Sequence, residues 1–151
     1  MVTIRPARAA DRAAVAAARA ALWPDATVEQ HDAELARILA GEPVTTMPWQ
    51  ILVAEEDLQI VGFCEVSLRS HADGCDPARP VAFLEGWFVA PASRRRGVGA
   101  ALVAAAEDWG RSQGCTEIAS DTWIEHEVSQ RAHEALGFLV VDRCVHYRKP
   151  L

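Results

Sequence analysis

The sequence predicts an α+β layered domain: a mixed, mostly antiparallel sheet of about seven strands with four helices on its faces. Three observations predict it. Short strand-like runs and helix-period segments interleave in the order β-α-α-β-β-β-α-β-α-β-β. Most helix-like segments carry one apolar side, which needs a partner surface to cover. The 151 residues are 50% hydrophobic and 24% charged, enough for one sizeable core. Residues 1–151 are therefore expected to form one domain.

Val2–Arg5 reads as the first strand. Asp11 is placed to cap a helix over Arg12–Leu22, a stretch of strong helix formers. Pro24 ends it by disfavouring helical geometry at Trp23. Thr27 and Gln30 have capping-box spacing and open a second helix. It runs to about Ala40, with Val28, Leu35, Ile38 and Leu39 on one side and Gly41 as its stop. Gln50–Glu55 and Gln59–Arg69 read as strands of a hairpin turning at Glu56-Asp57. Ser70–Pro80 holds Gly74, Pro77 and Pro80 and reads as a loop. Ala82–Val89 follows as a strand. Ala100–Gln113 is a helix with an apolar stripe through Val98, Leu102, Ala105 and Trp109, ended by Gly114. Glu117–Asp121 is a strand, and Glu125–Leu136 a helix with Val128, Ala132, Ala135 and Leu136 facing inward. Phe138–Val141 and Cys144–Arg148 close the sheet as two strands.

The net charge of −6 repels nucleic-acid phosphates and attracts a cationic small molecule. The alanine-rich stretch Ala13–Leu22 is too short to span a bilayer and is broken by Arg19. Met1–Arg5 has no apolar signal core. Neither nucleic acid nor membrane is an expected partner, and a cytoplasmic location is expected. Cys64, Cys75, Cys115 and Cys144 form no C-x-x-C pair and no zinc spacing with a histidine, so no metal is expected. Cys64 and Cys115 sit in apolar surroundings and read as core residues.

Between the strand ending at Val89 and the following helix lies Arg94-Arg95-Arg96-Gly97-Val98-Gly99. A glycine turn at a helix start gathers free N–H groups and the positive end of the helix dipole, a site for a phosphate. The lysine of a P-loop is missing, and Leu102 replaces the third glycine of a dinucleotide fingerprint. What remains is Arg-x-x-Gly-x-Gly, or a glycine turn that merely starts a helix.

Val89-x-Pro91 before this turn and Ala132–Phe138 near the end resemble the GNAT acyltransferase superfamily. Leu22-Trp23-Pro24, Phe83-Leu84-Glu85-Gly86, Gly114-Cys115-Thr116-Glu117, Ala119-Ser120-Asp121-Thr122 and His133–Phe138 narrow the resemblance to aminoglycoside 6′-N-acetyltransferases. The resemblance implies transfer of acetyl from acetyl-CoA to an amine of a cationic sugar. It implies that Arg94, Arg95, Arg96, Gly97, Val98, Gly99 and Ala100 cradle the coenzyme A pyrophosphate. Trp87, Phe88 and Val89 would lie along its pantetheine arm, with the Val89 N–H as oxyanion donor. It makes Asp121 the base or the anion that positions the amine; the residues alone favour a cap for a helix starting near Trp123. Glu85 and Asp142 would bind substrate ammonium groups, and Trp23 would wall the sugar, its other reading being a core tryptophan. His133 stands where many members have a tyrosine that protonates the departing thiolate; its other reading is a half-buried packing histidine. Tyr147 is a fallback acid. A homodimer, through the C-terminal strands, is also implied.

Two departures bear on substrate range. His126 stands where the family often has an asparagine against the coenzyme A arm. Ser70–Gly74 lacks the tyrosine common in that loop, leaving one wall of the acceptor pocket more open unless Trp87 fills it. The competing readings are a related enzyme acting on another polyamine, metabolite amine or protein N-terminus, and a non-catalytic acyl-CoA-binding domain.

Overall fold

A computed structural model describes every residue, Met1–Leu151. Its sheet has five strands side by side in chain order. β1 (Thr3–Pro6), β2 (Trp49–Glu56), β3 (Gln59–Arg69) and β4 (Val81–Val89) pair antiparallel, and β5 (Ile118–Ser120) joins β4 parallel. Helices α1 (Arg12–Leu22) and α2 (Val28–Leu39) cover one face, and α3 (Val98–Ser112) covers the other. α4 (Glu127–Ala135) follows β5.

Strand alternation sorts the core into these two layers. Ile51, Val53 and Phe63 meet Val15, Ala16 and Leu35 of α1 and α2. Leu52, Cys64, Val66 and Leu84 meet Val98, Leu102, Val103 and Ala106 of α3. Cys64 and Cys115 lie in this second layer, as their surroundings predicted. The capping box at the start of α2 forms: Thr27 Oγ1 accepts the Gln30 N–H at 3.2 Å, and Gln30 Oε1 accepts the Thr27 N–H at 2.8 Å.

Four expectations are corrected. The hairpin turns at Asp57-Leu58, one residue later than Glu56-Asp57. Both take left-handed φ, 50° and 65°, the mirror-image turn that matches strand twist, so Glu56 stays in register opposite Gln59. Asp11 makes no side-chain cap on α1 because it already closes a 3₁₀ turn, Ala9–Asp11. Its carboxylate instead takes the Arg5 guanidinium at 2.7 and 3.0 Å and the Arg8 N–H at 2.7 Å. α4 begins at Glu127 and buries no residue; Val128 and Ala135 face solvent because the sheet ends at β5 and offers that side nothing to cover.

The largest correction is at the C-terminus. Phe138–Val141 and Cys144–Arg148 form no strands, so the sheet has five rather than seven. A strand needs a neighbouring edge to pair with, and this arm lies along none: its last backbone–backbone hydrogen bond runs from the Phe138 N–H to His133 O, 3.1 Å. Beyond it the arm exposes Leu139, Val140, Val141, Val145 and Tyr147, the last 92% accessible.

Candidate active site

The site begins with a β-bulge. On β3, Glu65 stands opposite Gly86 and Val66 opposite Leu84, so Glu85 of β4 is left over. Such an insertion re-aims side chains. Leu84 packs with the α3 layer, whereas Glu85 and Gly86 both face α1. The Glu85 carboxylate accepts from Ser67 Oγ (2.6 Å) and from Arg69 Nε and Nη2 (3.1 and 2.7 Å).

Beyond the bulge, β4 runs on without its neighbour. β5 pairs only with Ala82–Leu84, and past Ser120 the chain departs at Asp121. Ala90 donates to Val61 O at 2.8 Å. Antiparallel alternation therefore turns the N–H and C=O of Trp87 and Val89 away from β3, toward the side β5 has left. The Val89 carbonyl accepts from Arg94 Nε at 2.9 Å. A cleft of about 360 Å³ lies here, lined by Leu22, Trp87, Phe88, Val89, Arg94, Arg95, Gly99, Ser129 and Ala132.

The turn at the cleft's far end has the geometry of an anion site. Arg95 and Gly97 take left-handed φ, 61° and 82°, with Gly97 at the N-terminus of α3. This gathers successive N–H groups at the positive end of a 15-residue helix. Arg94 lies 5.7 Å over the Phe88 ring, and neither it nor Arg95 has a carboxylate partner. Arg96 turns the other way and grips Glu56 through two bonds, 3.0 and 2.6 Å, holding that carboxyl below its usual range. The residues present thus fit a ligand with an anionic head and an extended, amide-bearing arm.

Asp121 is exposed, leaves β5 directly and makes no hydrogen bond. It does not cap α4, whose N-cap residue is His126, itself exposed. His133 packs edge-on against Trp87 (4.6 Å) and Phe138 (5.4 Å). Its Nδ1 donates to Ser129 O at 2.7 Å, and its Nε2 lies 2.8 Å from Ser120 Oγ, which also lies 3.0 Å from Leu84 O. The imidazole so ties α4 to the end of β5. Asp142 and Tyr147 are not brought to this cleft by contacts within the chain; both ride on the exposed arm.

Trp23 caps α1 and rests on Gly86: a methyl at Gly86 would stand 2.6 Å from Trp23 Cζ2 and 3.0 Å from Leu22 Cδ2. Its ring meets Phe63 edge-on at 6.0 Å, and its carbonyl lies 3.1 Å from His31 Nε2. The Arg19 guanidinium lies 5.7 Å from the ring and pairs with Glu65 at 2.5 and 2.8 Å. Arg19 and Glu65 are 3% and 0% exposed, and Trp49 Nε1 donates to Glu65 at 3.0 Å. Burial pushes the Glu65 carboxyl up, against the pull of Arg19 and Trp49. Sequence reasoning missed Ser67, Arg69, Arg19, Glu65 and Ser120. The one available signal was Glu65 inside an apolar strand, where an unpaired carboxylate is costly.

The model of the acetyltransferase (GNAT) family matches residues 15–138. An aminoglycoside N(6′)-acetyltransferase type 1 of Klebsiella aerogenes is 45% identical over 149 residues, 98% of this chain and 96% of that protein. Its namesake from Stenotrophomonas maltophilia is 42% identical over 99% of this chain and 94% of that protein. Among solved structures, AAC(6′)-Iy in complex with the bisubstrate analog CoA-S-monomethyl-acetylneamine superposes with a TM-score of 0.87 at 37% identity, covering 100% of this chain and 99% of that one. The AAC(6′)-Ih structure from Acinetobacter baumannii gives 0.87 at 32% identity with the same coverage.

Proposed function

The chain belongs to the acetyltransferase (GNAT) family, and from that premise we propose the reading its site supports best: an enzyme moving the acetyl group of acetyl-CoA to the 6′-amine of an aminoglycoside. The observation that carries it is the parting of β4 from β5, which leaves a cleft bounded by the Trp87–Val89 edge and the anion turn at Arg94–Gly99; Glu85 and Asp121 are assigned to its acceptor end.

When bound, the cofactor supplies an acetyl thioester. Arg94, Arg95 and the N–H groups from Gly97 through Val98 and Gly99 to Ala100 hold its diphosphate. Arg96 acts through Glu56 to fix the turn against the hairpin. The backbone edge of Trp87 and Val89, with Phe88 beside Arg94, lines the extended arm, and His126, at the N-cap of α4, is assigned to the same arm. The Val89 N–H donates to the oxygen on which negative charge builds. Asp121 orients the amine and accepts its proton, directly or through a water. His133, as the imidazolium whose Nδ1–H stays on Ser129 O, would pass its Nε2 proton through the Ser120 hydroxyl to the departing thiolate and be left neutral. Trp23 walls the sugar and Glu85 takes an ammonium group. Asp142 joins them only when the arm is docked.

The arm supports a homodimer. It exposes Leu139, Val140, Val141, Val145 and Tyr147 and pairs with no strand, and β5 has no neighbour on its outer side. The arm of one copy would add as a strand to β5 of a second. No helix is long and apolar enough to cross a membrane. A single cytoplasmic domain is part of the same reading, and four cysteines with no disulfide among them suit a reducing compartment.

Thiol release from acetyl-CoA tests the reading. Kanamycin-type compounds with a 6′-amine should be turned over and their 6′-hydroxyl counterparts should not. Equal rates with both would overturn the regiochemistry; no rate with either would favour a binding domain.

A further inference from the structure

We propose that Arg69 is a built-in competitor for the acceptor: its guanidinium sits in the ammonium subsite of the free protein and is displaced when a cationic sugar binds. This rests on the reading of Glu85 as an acceptor ligand. A cation site of this kind has two parts, a carboxylate and an aromatic face. Both are present here and both are filled by the same side chain. Arg69 Nη2 and Nε reach the two oxygens of Glu85 at 2.7 and 3.1 Å. Its guanidinium carbon also lies 3.4 Å from the centroid of the Phe83 ring.

The two partners differ in how firmly they are held. Glu85 is 14% exposed and is fixed by the Ser67 hydroxyl at 2.6 Å as well as by Arg69. Arg69 is 43% exposed, ends β3 and precedes the loop at Ser70, so water is open to it. An arriving ammonium therefore finds a carboxylate already aimed and a guanidinium free to leave. Arg69 sets specificity: a ligand too weakly cationic to replace it on Glu85 gains nothing from that carboxylate.

Steady-state kinetics on Arg69→Gln, Glu85→Gln and the double variant test this, with kanamycin A as acceptor. Arg69→Gln should lower the acceptor KM by roughly two- to fivefold, the worth of a half-exposed ion pair. The KM for acetyl-CoA should not move. Glu85→Gln should raise the acceptor KM, and adding Arg69→Gln to it should change nothing further. If Glu85→Gln raises KM but Arg69→Gln leaves it equal or higher, Arg69 only braces Glu85 and the proposal falls alone. If Glu85→Gln has no effect, the reading of Glu85 and the proposal fall together. On the unaltered protein, the ¹⁵N signal of Arg69 Nε should move toward that of a free guanidinium as kanamycin A is added. A signal that stays put overturns the displacement, whatever the stability of the variants.

Discussion

Gly86→Ala probes the acceptor wall most sharply. The added methyl would stand 2.6 Å from Trp23 Cζ2 and 3.0 Å from Leu22 Cδ2. Carbon atoms pack at about 3.5–4.0 Å, so the indole must retreat by about 1 Å. Its retreat is opposed by Phe63, 6.0 Å away edge-on, and by Arg19, whose guanidinium is pinned to Glu65. Overpacking of this kind costs about 1–3 kcal/mol. If that strain falls on the bound geometry of Trp23, the aminoglycoside KM rises roughly five- to hundredfold, at 1.4 kcal/mol per tenfold. The acetyl-CoA KM should stay near its original value, because the Arg94–Gly99 turn is untouched. Trp23→Phe in the Gly86→Ala background removes the colliding atom and should recover part of the loss. The assay is steady-state thiol release with each substrate varied, alongside thermal melting. An unchanged acceptor KM with an unchanged melting temperature would refute the reasoning, because it would mean that Trp23 moves freely and walls nothing.

Two further outcomes follow from the ion pairs and the arm. Arg5, chiefly through its hydrogen bonds, holds the Asp11 carboxyl below its usual range despite burial. The stability this supplies is present above the ordinary carboxylate pKa of about 3.9 and is lost as pH falls through the lower folded value. Asp11→Asn should therefore cost about 1–3 kcal/mol at neutral pH, and its melting temperature should fall less steeply than the original protein's on acidification; parallel declines would contradict this. Val145→Asp on the arm should convert a sedimenting dimer to a monomer, and an unaltered protein that already sediments as a monomer would dismiss strand exchange.

The sequence made legible those features that depend on near neighbours. The periods of α1–α3, the alternation of β2–β4, the capping box at Thr27 and the glycine turn after Val89 are local, and each forms with boundaries shifted by a few residues at most. The bulge at Glu85 could not be read, because it arises from registration against Glu65 and Val66, some 20 residues away in sequence. The Arg69–Glu85 and Ser120–His133 contacts likewise join residues 16 and 13 apart through pairing that no short window contains. Leu139, Val140, Val141 and Val145 have the composition of strands, but composition supplies no edge to pair with, and the single chain leaves the arm unpaired. For Asp121, the alternative of a helix cap was removed only by the observed start of α4 at Glu127.

The reaction assigned to this cleft stands or falls on Asp121. Asp121→Asn should lower kcat for a 6′-amino aminoglycoside by about 10²–10⁴, the usual worth of a positioned base. Acetyl-CoA affinity, measured by calorimetry on the same preparation, should be unchanged, since Asp121 lies at the end of β5 and the anion turn at the start of α3. A variant that keeps its turnover, or one that loses acetyl-CoA binding along with it, would contradict the assignment.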